Sequence, residues 1–372
     1  MSEGHPEPDR IEGAPHPRQT AQLIGQSKAE AAFLAAFNGK HLHHGWLVTG
    51  PRGVGKATLA WKIARFLLAT PDDDGGMFAA PAPQSLDIPD SHPVAHRLAA
   101  LTESRLFLLR RPYDEKAARL KQDITVDEVR KMKSFFALSA ADGGRRVAII
   151  DSIDEMNVSA ANALLKLLEE PPARVTILMI SHQPAKLLPT IRSRCRELRL
   201  GALSPQDLSN ALTQAGGEVA ASEATALAEL AGGSVGEAFR MTNLDGLQHY
   251  EALISLFATL PRLDRPRALN FAEKSAGKGA EAQFDLSVTL LDLFLARLAR
   301  AGTLQLLPPE AARGEADLIS RLSPSPHHAR EWADAAQHLG LRARKARAVN
   351  LDPAALLMDM LLHINETSAR LA

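Results

Sequence analysis

The residues best suited to chemistry lie between 50 and 58, where the chain reads GPRGVGKAT. Gly50, Gly53, Gly55 and Lys56 keep the phosphate-loop spacing G-x-x-x-x-G-K, and the pattern fails only at its last place. Glycines at these positions let successive backbone N–H groups turn toward a phosphate. The helix that follows adds its positive end, and the lysine neutralises the β and γ phosphates. The last place normally holds a hydroxyl that ligates Mg²⁺, and Ala57 has none. Thr58 comes one position late and, on a helix, is rotated by about 100°. Farther along, Asp151 closes the apolar run VAII, the type and place for a carboxylate that holds Mg²⁺ through water. Ser152 follows it where hydrolytic sites carry a glutamate that polarises the attacking water, and it reads equally as an ordinary strand-end residue. These residues leave ATP binding without hydrolysis open, and Mg²⁺ binding with it.

The elements that would position these groups are legible from periodicity. WLVTG is a short buried strand entering the glycine turn, and a helix runs from about Lys56 to Ala69. AQLIGQSKAEAAFLAAFNGK is a helix pattern ended by Gly39, and RLFLLRR, RRVAIID and VTILMIS are strands. ITVDEVRKMKSFFALSA has helical spacing. In NVSAANALLKLLEEPP, Asn157 is the expected N-cap; Ala161, Leu164, Leu165 and Leu168 form the expected apolar face, and Pro171-Pro172 the stop. Strands alternating with helices to about residue 200 predict an open α/β sheet of the P-loop kind. From Ser204, an expected cap before Pro205 at the first helical position, the pattern is helical throughout. Two late helices have strong apolar faces, one through Leu286, Leu290, Leu293 and Phe294, the other through Leu357, Met360, Leu361 and Ile364. Residues 1–18, rich in proline and polar groups, predict a disordered tail, and 70–95 a long surface loop.

Composition bounds the function class. The chain has 372 residues, and Lys plus Arg equal Asp plus Glu at 43 each, so no net basic field draws the whole molecule to nucleic acid. One cysteine, Cys195, excludes an internal disulfide and any cysteine-cluster metal site, which points to the cytoplasm. No segment resembles a signal peptide or a membrane span, so no membrane partner is expected. His41, His43 and His44 form the one dense histidine group and read as a solvated run rather than a metal site. LRARKAR, with Arg342, Arg344, Lys345 and Arg347, lacks interleaved aromatics and reads as a solvated helix face before a DNA footprint. Trp46, Trp61 and Trp332 read as core or interface residues.

GPRGVGKATLA, VAIID, ANALLKLLEEPP and IRSRCRELRL, in this order and spacing, closely resemble the bacterial clamp-loader AAA+ proteins of DNA polymerase III. The likeness is strong over about residues 20–245 and loose beyond. It implies an AAA+ nucleotide-binding-like domain over 19–201, a small helical lid over 202–245 and a helical collar for oligomerisation over 246–372. In this family gamma/tau members hydrolyse ATP. Ala57, Ser152 and Gly236, the last standing where ATPase members carry a lid arginine, resemble the degraded delta-prime branch instead. The resemblance implies gamma/tau and delta partners, with the sliding clamp and primer-template DNA reached through the complex. It also gives Arg194 a role, in the triplet Ser193-Arg194-Cys195, as an arginine finger in a neighbouring subunit's ATP site. The zinc module common in such subunits has no counterpart, since 70–95 is free of cysteine. A self-sufficient AAA+ ATPase or other nucleotide-dependent motor remains the alternative, carried by Gly55, Lys56 and Asp151.

Overall fold

The computed structural model describes residues 7–8, 10–20, 22–39, 42–71, 81–138, 144–217, 219–220, 222–277, 279–348 and 351–372, leaving out the side chains of 138 and 344–348. The chain forms two compact units. Residues up to 218 with Gly233–Gly236 make the first, and 219–232 with 237–372 the second.

The first unit is built on a five-stranded parallel sheet in the order β2-β5-β6-β1-β7. Its strands are β1 (Gly45–Thr49), β2 (Leu106–Arg110), β5 (Arg146–Asp151), β6 (Val175–Ser181) and β7 (Arg196–Arg199). Every residue of β1, β5 and β6 is buried, as unbroken apolar runs require when helices cover both faces. In the register, Asp151 stands beside Ile180 of β6 and Arg110 of β2, and Thr49 beside Ser181. The carboxyl ends of β1, β5 and β6 therefore meet at one edge, where chains of this topology place ligands.

Around the sheet lie α1 (Ser27–Asn38), α2 (Lys56–Ala69), α3 (Pro93–Ala99), α4 (Val126–Leu138), α5 (Val158–Glu169), α6 (Pro189–Arg192) and α7 (Pro205–Gln214). Helix α2 spans the predicted residues, and Asn157 caps α5 through Oδ1, which accepts from Ala160 N at 2.9 Å. The buried face of α5 is Ala160, Leu164, Leu167 and Leu168; Ala161 and Leu165 are only half-buried, so the expected face is turned by about one residue. Position 160 lies deeper than 161 because the helix packs on α4 as well as on the sheet, which widens the buried stripe toward Leu167.

Helix α1 begins at Ser27 rather than near Ala21, since Gly25 takes φ 74° and Gln26 turns its amide to other backbone groups. A short antiparallel hairpin, β3 (Tyr113–Asp114) with β4 (Arg119–Leu120), was not foreseen; two-residue strands leave no periodicity to read. Of the predicted loop 70–95, residues 72–80 lie outside the described residues. The remainder is partly packed: Leu86 is buried, Asp87 pairs with Lys62 at 2.7 Å, and α3 starts at Pro93.

The segment before residue 19, expected to be a disordered tail, lies against the first unit where it is described. His16 is buried edge-on to Trp61, and Glu7 pairs with Arg18 and Arg110 at 2.9 Å each. Polar and proline-rich composition suggested disorder, yet one carboxylate shared by two arginines and one packed imidazole supply the anchors that composition does not show.

The second unit is helical among its described residues: α8 (Ala224–Ala231), α9 (Val235–Asn243, its first two residues counted with the first unit), α10 (Gly246–Phe257), α11 (Arg265–Ser275), α12 (Glu281–Leu304), α13 (Glu315–Leu322), α14 (Pro326–Ala348) and α15 (Pro353–Leu371). Leu286, Leu290 and Phe294 of α12 and Leu357, Met360, Leu361 and Ile364 of α15 are fully buried, with Leu293 half-buried. Trp332 is buried too and donates Nε1–H to Leu322 O at 2.8 Å.

Candidate functional site

The phosphate-loop residues occupy the expected strand–turn–helix context, between β1 and α2. Gly50, Gly53 and Gly55 have φ of 144°, 71° and 97°, conformations that side chains resist. A Cβ on Gly50 would stand 2.5 Å from Leu200 O, and one on Gly53 would stand 2.3 Å from Ser234 Oγ. Segment Gly233–Gly236 thus lies directly on the loop, and Gly236 N donates to Gly53 O at 3.3 Å. A larger side chain at 236 would meet Ile11 and the Gly53 backbone, which gives glycine there a packing reason.

Lys56 is buried, and its ammonium donates to Gly50 O at 2.8 Å and to Pro51 O. Burial lowers its pKa to about 8, Arg52 adds to the depression, and Asp151 and Asp154 oppose it. Asp151 is thereby brought to the lysine's side of the sheet edge. Thr58 sits half-buried on α2, one residue beyond Ala57.

Beside the loop a cleft of about 370 Å³ is lined by Arg52, Ser152, Asp154, Glu155 and His182 among others. Ser152 is buried and its hydroxyl has no hydrogen-bond partner among the described residues. The carboxylates nearby are committed elsewhere. Asp154 accepts from Ser181 Oγ at 2.7 Å and His182 N at 2.5 Å, while Glu155 pairs with Arg111 at 2.8 Å. Burial, with Lys56 and Arg52 adding to it, lowers the His182 pKa to about 4, so the ring is neutral at pH 7. The loop geometry suits a phosphate; the metal-ligand hydroxyl and a water-polarising carboxylate at 152 are missing. Among the described residues no three His, Cys, Asp or Glu side chains cluster as a metal site would require.

Gln26, Asp154 and His182 were missed by sequence reasoning. Gln26 is buried and donates to Val54 O at 3.2 Å and Gly201 O at 2.8 Å, steadying the loop from 28 residues away in sequence. Nothing local marks it. His182 and Asp154 could have been suspected, since each lies just past the carboxyl end of a buried strand.

Arg194 is not part of this cradle. It follows α6 on the turn into β7, its side chain 38% exposed. It donates to Thr190 O at 3.0 Å and pairs with Glu169 of α5 at 2.9 Å, a surface contact rather than a buried one. Cys195 next to it packs toward the core with its thiol on Ile191 O at 3.1 Å, and burial pushes its pKa up to about 12. The triplet therefore anchors by its cysteine and presents its arginine.

Residues 25–204 match the family model described as DNA polymerase III, delta subunit. Over 169 residues the chain is 39% identical to the DNA polymerase III delta-prime subunit of Pseudomonas aeruginosa, covering 45% of this chain and 46% of that one. Residues 25–204, just under half of the chain, are thus similar to DNA polymerase III delta and delta-prime subunits. It is also 30% identical over 196 residues to the DNA polymerase III gamma subunit of Buchnera aphidicola, 53% of this chain and 48% of that one. The chain thus spans about half the length of these curated relatives. A solved gamma-subunit-related protein of Thermotoga maritima is 17% identical, with a TM-score of 0.34 over 90% of this chain and 99% of its own, a likeness too slight to carry an argument. The parallel sheet with its phosphate loop, followed by a helical region, is the α/β-then-helical fold class expected from sequence. Among the described residues no helix is long and apolar enough to cross a membrane.

Proposed function

We propose that this chain is a cytoplasmic clamp-loader subunit of DNA polymerase III that does not hydrolyse ATP itself and presents Arg194 to the nucleotide site of a neighbouring subunit. The observation that carries the reading is how the cationic groups are disposed. Lys56 is held inside its loop by the carbonyls of Gly50 and Pro51, whereas Arg194 stands on the surface, held by the half-exposed Glu169 carboxylate and the carbonyl of Thr190. A guanidinium so placed can stabilise charge spreading over a γ-phosphate in trans. The chain's own site lacks the parts for hydrolysis: Ala57 offers no ligand to Mg²⁺, Ser152 no carboxylate, and Asp154 and Glu155 are engaged. ATP held by Gly50, Gly53, Gly55, Lys56, Thr58 and Asp151 would be bound and not turned over, with no part for zinc.

The partners under this reading are gamma/tau and delta subunits, with the sliding clamp and primer-template DNA met through the assembly. The segment from about 202 to 245 acts as the lid and 246–372 as the collar that joins the ring. The test measures ATP binding and turnover in parallel on the isolated chain. No turnover above background is expected; sustained hydrolysis that disappears in Lys56→Ala would favour a self-sufficient ATPase, because a contaminant would not respond to that change.

A further inference from the structure

We infer that Glu169 is a positioning residue for Arg194, holding the guanidinium in the orientation it needs toward a neighbour's nucleotide; the inference rests on the trans reading of Arg194. Glu169 is the last residue of α5, a helix whose start is set by the Asn157 cap and whose end is set by Pro171-Pro172. Its carboxylate lies 2.9 Å from Arg194 Nη2, while Nη1 donates to Thr190 O at 3.0 Å. The two contacts come from different elements, α5 and α6, and together they fix the plane of the guanidinium rather than one atom of it. A third, long contact reaches Ser193 Oγ at 3.5 Å. Guanidinium has five donors, so two remain for a phosphate.

The choice of partner by Glu169 is informative. Lys166 lies one helical turn earlier on α5, and it lines a groove of about 400 Å³ together with Glu169 and Lys133. Neither lysine forms an ion pair among the described residues, although Lys166, at i−3, is a neighbour of Glu169 on the helix surface. Glu169 instead reaches across to Arg194. Both side chains are too exposed for the pair to serve mainly as a stability element, at 38% and 48%. Such a pair costs little to the fold and restricts a long, flexible arginine, which is the entropic part of placing a catalytic cation.

The test uses the fully assembled loader, reconstituted with Arg194→Ala, Glu169→Ala, Glu169→Asp and the double variant Arg194→Ala/Glu169→Ala. Clamp- and primed-DNA-stimulated ATPase is followed alongside ring assembly by size. Glu169→Ala is expected to assemble normally and to lower kcat about fivefold at unchanged KM for ATP, the rate equivalent of about 1 kcal/mol. Glu169→Asp should recover part of the loss, and Glu169→Ala should add nothing once Arg194 is gone. Wild-type kcat in Glu169→Ala beside a slow Arg194→Ala would overturn the positioning role and leave the trans arginine standing. A Glu169→Ala loss that persists in full in the Arg194→Ala background, or that accompanies failed assembly, would also overturn it, by showing a structural effect. Unchanged turnover in Arg194→Ala would remove both readings together.

Discussion

Lys56 shows how a residue with an ordinary role in its motif acquires an unusual setting. Its folded pKa of about 8 lies below the 10.5 of a free lysine, so between those values the unfolded chain binds more protons than the folded one. Stability therefore rises with pH across that window, by at most about 1.4 kcal/mol per pH unit. Urea unfolding at pH 7.5 and 9.5 should show a gain in the wild type that exceeds the gain in Lys56→Met by about 2 kcal/mol, the common titrations of other groups cancelling in the comparison. Gly50 is the second residue with a sharp expectation. At φ 144°, with Leu200 O 2.5 Å from any added Cβ, Gly50→Ala should destabilise the first unit by about 2 kcal/mol or more, read from its denaturation midpoint. The same change at Gly201, which has nothing within 4 Å of an added Cβ, is the natural control.

Among the elements, α5 ties the two parts of the proposed function together. Its N-cap follows the Asp151–Ser152 end of β5, and its last residue holds Arg194. The cap was legible in the sequence because Asn before a helical apolar pattern has few other uses. Asn157→Ala should cost about 1 kcal/mol of stability, measured by denaturant unfolding, with hydrogen exchange rising first at the amide of Ala160. The face of α5 was read one residue off, since a face packed between a sheet and α4 is wider than a single stripe. The hairpin β3–β4 and helix α3 escaped notice for the opposite reason: each is too short to show a period.

On the scale of the whole molecule, each unit has its own core, and the second also has a buried charged centre. Arg297 of α12 donates to Glu315 at 2.7 Å and pairs with Glu229 at 3.1 Å, while Tyr250 donates to Glu315 at 2.6 Å. Ala311 N donates to the same carboxylate at 2.7 Å, so the linker between α12 and α13 is tied to it. Removing one member strands the others: Glu315→Ala should cost about 3–5 kcal/mol. Limited proteolysis should then cut within 237–372 while exchange protection of the sheet strands stays as it was. The late apolar faces picked out in the sequence are closed within the unit; a ring contact there would use other residues, for which Leu304, Leu306 and Leu307 are the largest run of exposed apolar side chains among the described residues.

Local chemistry and periodicity determined the strand–turn–helix of the phosphate loop, the cap and stop of α5, the parallel α/β class and the helical second half. Each of these depends on neighbours within a few residues, so a single chain can display it. The missing hydroxyl at Ala57 and the carboxylate lost at Ser152 were equally visible, because an absent functional group needs no coordinates. Only the tertiary structure decided that Gln26 braces the loop, that Ser234 and Gly236 lie on Gly53, that Glu7 and His16 pin the N-terminal segment, and that Glu169 meets Arg194. These are contacts between residues far apart along the chain, and their existence depends on strand order and helix packing, which set distances that no local pattern encodes.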